Sequence, residues 1–591
     1  MVNQIDTHEL VEIFVSLERA RTRSDKLDYL LKAKLYILNR MSKEHIREFF
    51  ASEPANFEQL FLLDIWTKHL DGDHVEFVEP YDIIEKIFES FDHLHQLVDL
   101  FHKQIVYLLD QDKDEKCKHI CVKHMIRLSQ ELEKWGMNLD PISLVNLRNM
   151  LESNLKDIMP YFIRQIPINV VSYSLLVNDL LCSITIELNR IEALIQSKDL
   201  RVDIFTGSIF ENNQPLINEI ERVYKLNSIN SLRIFEILVN LSLISEEHLK
   251  SICESKFNLN DKINHFLMNK IDILSKLNCI ELLTKLVQVN HGYNYLHKNQ
   301  HLNHILKILT QPDEDAFSSI IIPSVVKIFS HIAHDRPKDV YDNYSSYFDY
   351  LFKNALDEDL INNLLSINQS LETLAYLFDT NMVKKFIYEN YRENFFKLLD
   401  RLTYIIEFVI NENLKVATLK CIAELIAPDS SLLKSFHTDT KFLDSAWLTP
   451  EWSDLAKTFY DRLVYKIGHE KFFSLILRYA RQPIVNLRLS AQLYFKAMAQ
   501  TKWGIHLIYE PNNFNGYQTF FIGYILNRSV ELEKEGLESK YEMIKLMLAN
   551  LNLNNSLIYL IGEDGMNQLK QYVKDGPFYL KAQLNVAFES T

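Results

Sequence analysis

Twelve glycines and 14 prolines in 591 residues restrict this chain more than any motif does. Average usage is roughly 7% glycine and 5% proline. Tight turns, phosphate-cradling loops and strand-to-helix elbows draw on glycine because only glycine takes positive φ at low cost. A chain this poor in glycine is built from helices and short connectors. It lacks the material for most glycine-built active sites, and no Walker A loop, G-x-G-x-x-G or G-x-S-x-G occurs.

The apolar spacing is helical nearly throughout. Leu232, Phe235, Leu238 and Val239 share one face, as do Leu371, Leu374, Leu377 and Phe378. Breaks are short, as at Gln311-Pro312-Asp313, Asp335-Arg336-Pro337, Ala427-Pro428-Asp429 and Gln482-Pro483. A weak repeat is visible. Leu414-Lys415, Thr418, Cys421-Ile422 and Leu425 align with Leu487-Arg488, Ala491, Tyr494-Phe495 and Met498. The pattern is that of the second helix of a HEAT or armadillo unit, where a small residue lets the next helix approach. A separation of 73 residues suits about two units of 40–47 residues. The expected fold is all-α: a HEAT/armadillo-type solenoid, a right-handed superhelix of stacked helical hairpins. Residues 1–160 are expected to form an irregular helical cap, and residues 161–591 one continuous run of repeats with a C-terminal cap.

Composition narrows the function. Hydrophobic residues are 47% and charged residues 24%, an ordinary globular balance. The net charge of −15 argues against nucleic acid as a partner, because phosphate binding needs a basic footprint. No run of 18 apolar residues appears, so no membrane span is expected. The N-terminus has neither the basic nor the apolar region of a signal peptide. Six scattered cysteines read as reduced thiols of a cytoplasmic protein, with the nucleus also open to it.

Few residues suggest chemistry. Cys117, Cys121 and His124 would share a helix face, but no fourth zinc ligand accompanies them; they read as core thiols and an edge histidine. His331 and His334 lack the glutamate of a metalloprotease helix, and His334 suits a helix end. Gly562 and Gly565 read as a turn. No catalytic residue, metal site or cofactor is expected. Basic residues cluster at Arg19, Arg21 and Arg23 and again at Arg478, Arg481 and Arg488. Because Lys415 and Arg488 occupy matching repeat positions, both are expected to project into one groove.

From about Asn278 onward the chain resembles the proteasome non-ATPase regulatory subunit five family. The ordered strings are Cys279-Ile280-Glu281, His291-Gly292, Tyr295-Leu296, Ala316-Phe317-Ser318-Ser319, Gln482-Pro483, Arg528-Ser529-Val530-Glu531, Lys540-Tyr541-Glu542 and Gly576-Pro577-Phe578-Tyr579-Leu580-Lys581. A weaker match begins near Ser231-Leu232-Arg233. The resemblance implies a solenoid without enzymatic activity that assists assembly of the proteasome regulatory particle base. It implies binding to the C-terminal domain of a proteasomal ATPase subunit, contact with other base subunits, and hindrance of premature docking on the core particle. The free chain is expected to be monomeric. A generic solenoid adaptor or transport receptor is the alternative. Lys415, Arg488, Arg478 and Arg481 are the expected partner contacts, with Arg488→Glu weakening ATPase binding while leaving the melting curve near wild type.

Overall fold

The computed structural model describes residues 8–52, 79–98, 115–129, 157–164, 175–186, 213–254, 258–268, 272–311, 318–428, 450–509, 523–531, 533–553 and 561–579, with residues 105, 151, 155, 166 and 559 between them. Among the described residues there are helices and no strands. None of these helices is long and apolar enough to cross a membrane. The chain divides into two units, residues 1–302 and 303–591.

In the first unit, α1 (His8–Arg19) packs on α2 (Arg23–Arg40), α2 on α3 (Glu79–Ser90), and α3 on α4 (Glu115–Ser129). Further along, α5 (Gln214–Tyr224) pairs with α6 (Ser228–Ser242), which packs against α7 (Ile273–Leu286). The second unit holds α8 (Ser318–Asp335), α9 (Ser346–Ala355), α10 (Leu364–Leu377), α11 (Arg392–Phe408) and α12 (Glu412–Ile426). It continues through α13 (Pro450–Val464), α14 (His469–Tyr479), α15 (Val485–Ala499), α16 (Lys534–Leu553) and α17 (Gly562–Asp575). Helices α8, α10, α12, α15 and α16 form a continuous row in which each packs on the next. Behind them, α9 backs α10, α11 backs α12, α14 backs α15 and α17 backs α16. This is the stacked-hairpin arrangement of a HEAT/armadillo-type repeat.

The aligned repeat positions are core. Leu414, Thr418, Cys421, Ile422 and Leu425 are buried, as are Leu487, Ala491, Tyr494, Phe495 and Met498. The spacing is corrected. Helix α12 packs directly on α15, so the 73-residue offset is one repeat step and not two. Neighbouring inner helices begin at residues 318, 364 and 412, the usual repeat length. The longer step to residue 485 contains α13, which packs on α11 and α12.

Helix starts follow local sequence. The side chains of Asn213, Asn227, Asp272 and Asn411 accept hydrogen bonds from the backbone N–H three residues on, at 2.8–3.1 Å. Helix ends follow a different rule. The last carbonyls of a helix have no partner within it, and glycine in the left-handed conformation is the common remedy. Here Gly576, at φ 84°, is the glycine C-cap of α17, and Gln300, at φ 63°, takes positive φ just beyond the helix Asn290–Lys298. Other ends close through backbone N–H groups of right-handed C-cap residues, as at Lys225, Leu243, Val287 and Ala480, and at several ends side chains from other elements add partners. Lys384 Nζ, fully buried, donates to Ala427 O at 2.6 Å beyond α12. The Arg401 guanidinium donates to Asp357 O beyond α9. Arg127 donates to Phe88 O and Phe91 O at the end of α3. Tyr479 Oη donates to Ile406 O at 2.7 Å, and Thr403 Oγ1 to Leu463 O at 2.6 Å.

Lys384 also lies 4.7 Å from the Trp452 ring centroid. Lys384→Met is expected to cost about 1.5–3 kcal/mol, the usual worth of a hydrogen bond to a charged group, and to lower the melting temperature. Lys397→Met removes only an exposed pair with Glu393 and is expected to cost less than about 1 kcal/mol. Calorimetric melting of both variants checks the contrast.

Candidate partner-binding groove

The exposed faces of α10, α12, α15 and α16 line one groove of about 800 Å³. Helical periodicity places Asn368 and Glu372 on its first wall, then Asn413, Val416 and Lys420. Next come Asn486, Leu489, Leu493 and Lys496, and finally Glu535, Glu538 and Glu542. Four carboxylates face two ammonium groups, and one of the latter is engaged: Lys496 Nζ pairs with Glu542 at 2.6 Å. Beside Lys496, burial and Asp379 raise the pKa of Glu424 above the usual carboxylate value. The groove is therefore acidic with an aliphatic floor. It carries no nucleophile with an activating base, and it offers charge and shape to a macromolecular surface. The first unit has a smaller groove of about 590 Å³ between α6 and α7, lined by residues that include Ile229, Glu236, Leu274, Glu281 and Lys285.

None of the four basic residues singled out from the sequence lines the larger groove. Lys415 is half-buried, with Nζ 4.7 Å from the Tyr479 ring centroid. Arg478 is exposed and reaches the same ring at 5.9 Å, so the fold does bring these two together. Arg481, also exposed, lies 6.0 Å from the Tyr524 ring. Arg488 corrects the expectation that it projects outward. Its side chain is 10% exposed and grips Glu531, itself 2% exposed, through Nε to Oε2 at 2.9 Å and Nη2 to Oε1 at 3.0 Å. Arg488 Nη1 also donates to the carbonyls of Gln482 and Pro483 beyond α14. The repeat alignment was right, but the groove line runs through Asn413 and Asn486, two positions before Lys415 and Arg488. That is about 200° around the helix. Lys420 and Lys496 were missed for that reason, and Glu372, Glu535, Glu538 and Glu542 because they sit on α10 and α16, outside the aligned pair. Reading the exposed positions of the same alignment would have found the two lysines.

Glu531 is held completely. Gln492 Nε2 donates to Oε2 at 3.2 Å and the Glu533 N–H to Oε1 at 3.1 Å. Gly536 makes the room: a Cβ there would lie 2.1 Å from Glu531 Cδ. Lys540 is buried alongside and donates to Asn527 O at 2.6 Å. Burial pushes its pKa down to about 7, against the pull of Glu531 and with the help of Arg528. Arg528 stacks on Tyr572 at 3.7 Å and donates to Tyr572 O and Gly576 O. The strings around Arg528, Lys540 and Gly576 that carry the family resemblance thus supply structural ties.

The remaining candidates are also packing groups. Cys121 is buried, and burial pushes its thiol up to about 12. His124 stacks on Phe88 at 5.9 Å, and burial lowers its pKa. The Cys117 side chain lies outside the described residues. His331 Nδ1 meets Tyr376 Oη at 3.0 Å, and His334 Nδ1 meets Asp335 Oδ1 at 2.9 Å near the end of α8. Gly562, at φ 70°, and Gly565 open α17, a helix start where a turn was expected. Among the described residues no group of three His, Cys, Asp or Glu is placed to hold a metal.

The sequence model of the family described as proteasome non-ATPase 26S subunit matches residues 204–591. The chain is similar to the Bos taurus 26S proteasome non-ATPase regulatory subunit 5, with 27% identity over 384 residues, covering 65% of this chain and 68% of that one. The Homo sapiens protein of that name is 26% identical with the same coverage. The Drosophila melanogaster one is 22% identical over 417 residues, 70% and 72% of the two chains. Among solved structures, yeast importin-beta (Kap95p) gives a TM-score of 0.40 at 10% identity, covering 96% of this chain and 72% of that one. Importin beta in an ammonium sulfate condition gives 0.43 at 11%, covering 96% and 70%.

Arg488→Ala strands a buried carboxylate and is expected to cost about 3–5 kcal/mol; Arg488→Glu places two carboxylates together and is expected to cost more. A melting curve near wild type for either would contradict the pair. Lys540 contributes a pH slope. Its folded pKa of about 7 lies below the unfolded value of about 10.4. The unfolded chain therefore holds the extra proton between these values, and stability rises with pH from about 7 to about 10. Lys540→Met is expected to flatten that slope, measured by denaturant melts at a series of pH values.

Proposed function

The chain belongs to the proteasome non-ATPase 26S subunit family, and we propose that it is a non-enzymatic assembly chaperone for the base of the proteasome regulatory particle. In this reading it binds the C-terminal domain of one proteasomal ATPase subunit, contacts other base subunits, and hinders premature docking on the core particle. It acts in the cytoplasm, without a cofactor, and is monomeric when free. The observation that carries the reading is the family match from residue 204 to 591, which spans every helix lining the acidic groove.

The groove adds a requirement of its own. Its carboxylates on α10 and α16 favour a partner face that presents basic side chains, which gives orientation and association rate as well as affinity. Lys415, Arg478 and Arg481 belong to this reading as contacts for partner carboxylates outside the groove. Arg488 does not, because it is occupied by Glu531.

Titration calorimetry of the full chain with a purified ATPase C-terminal domain tests the proposal. Glu535→Lys combined with Glu538→Lys is expected to weaken binding at least tenfold, about 1.4 kcal/mol, with melting unchanged because both residues are exposed. Adding the wild-type chain to purified base is expected to slow its association with core particle. Unchanged association at saturating chain would refute the docking role, and absence of any ATPase binding would refute the proposal as a whole.

A further inference from the structure

We propose that one edge of the second unit, where α10 and α12 begin, is a separate docking surface for an amphipathic helix of a partner protein, aliphatic on one face and basic beside it. Five large apolar side chains are turned outward there. Ile361 and Ile410 are each 89% exposed, Leu365 86%, Phe408 63% and Tyr404 45%. The helices that carry them have their own cores: Ile367, Leu371, Leu402, Ile405, Ile406 and Leu414 are fully buried. The outward residues are therefore surplus to folding, and a clustered apolar surface of this kind marks an interaction site.

The five residues belong to one edge. Helices α10 and α12 pack on each other, and Asn368 and Glu372 of α10 line the groove beside Asn413, Val416 and Lys420 of α12, so the two run parallel and their N-termini lie side by side. The Arg401 guanidinium donates to Asp357 O, tying α11 to the α9–α10 loop, and lies 5.3 Å from the Tyr404 ring centroid. Tyr404 in turn meets Phe408 at 5.4 Å. The loop is braced: Asp359 Oδ1 accepts from the N–H of Ile361 at 3.2 Å and of Asn362 at 3.0 Å. Those bonds, led by the Asn362 N–H, hold the Asp359 carboxyl below its ordinary pKa, so it is ionised.

Charge and spacing specify the occupant. Glu358, Asp359 and Glu412 are exposed around the patch. No lysine or arginine occurs from residue 354 to 366 or from 409 to 414; on the α11 side, Arg401 beside Tyr404 is taken up by Asp357 O and Lys471 by Glu407. A partner that covers the aliphatic residues therefore gains from lysine or arginine at its margins. Packed helices stand about 8–10 Å apart, and side chains seven residues apart on a helix are separated by about 10.5 Å. A helix lying across the two N-termini brings one apolar residue to each. Exposed aliphatic residues at the second position of a helix also occur in the first unit, at Ile229 of α6 (61% exposed) and Leu274 of α7 (71%), as at Leu365 of α10.

The test uses the full chain and a labelled synthetic helix of about 18 residues, with leucine on one face and lysine on the other. A second peptide carries glutamate in place of lysine. Fluorescence anisotropy is expected to show binding of the leucine–lysine peptide and at least tenfold weaker binding of the leucine–glutamate one. Leu365→Ser with Ile410→Ser is expected to weaken the first peptide at least tenfold with melting unchanged. The groove variant Glu535→Lys/Glu538→Lys is expected to keep it, which separates this surface from the proposed ATPase site. Equal affinity of the serine variant and wild type would overturn the proposal, as would loss of binding in the groove variant alone. Sedimentation showing a wild-type dimer that the serine variant abolishes would assign the edge to a second copy of the chain and overturn it too.

Discussion

The C-terminal ends of the helices set the terms for the whole structure. Every α-helix leaves its last carbonyls without a partner inside it, and burying them unpaired is costly. Twenty-five α-helices among the described residues share a chain with 12 glycines, so the glycine cap is rarely available. Part of the remedy is local, through the backbone N–H of C-cap residues such as Lys225 and Val287, and part is tertiary. Lys384, Arg127 and Arg528 reach to carbonyls at the end of another helix, and Arg401 and Arg488 to carbonyls of the loops that follow α9 and α14. Each such bond ties two segments together at a helix end or the loop beyond it. In a stack where every hairpin touches only its neighbours, cohesion between repeats is a nearest-neighbour property, and these bonds supply part of it.

Turning cations inward has a consequence for the surface. The chain already carries 79 acidic against 64 basic side chains. With Arg488 and Lys540 buried at the far end of the row, the carboxylates of α16 stay outward, and the groove beside them is acidic. The same helix thus does two jobs with opposite faces. Its buried face holds Lys540 and leaves room at Gly536 for Glu531. Its exposed face presents Glu535, Glu538 and Glu542 to the groove. A family fingerprint that runs through Glu531, Lys540 and Gly576 therefore marks the scaffold of the groove and not its contact residues.

The chain by itself determined the helical class, the stacked-hairpin architecture and the register of the repeat. Each rests on local quantities: glycine supply, a 3.6-residue apolar period, and small residues such as Thr418 and Ala491 at a fixed offset. Helix starts were equally local, since Asn227, Asp272 and Asn411 cap within their own next turn. Tertiary structure alone decided which charges face outward. Arg488 and Lys415 occupy equivalent positions, yet one is buried against Glu531 and the other lies over Tyr479. The partner that decides the outcome lies 43 residues away in the first case and belongs to the backing helix α14 in the second. Only packing also revealed that α12 and α15 are adjacent, because α13 lengthens the chain between them without separating them in space. A periodic pattern specifies a face relative to its own helix axis. Which side of that axis meets a neighbour, a buried ion pair or open water depends on contacts between segments distant in the chain, and no local spacing encodes them.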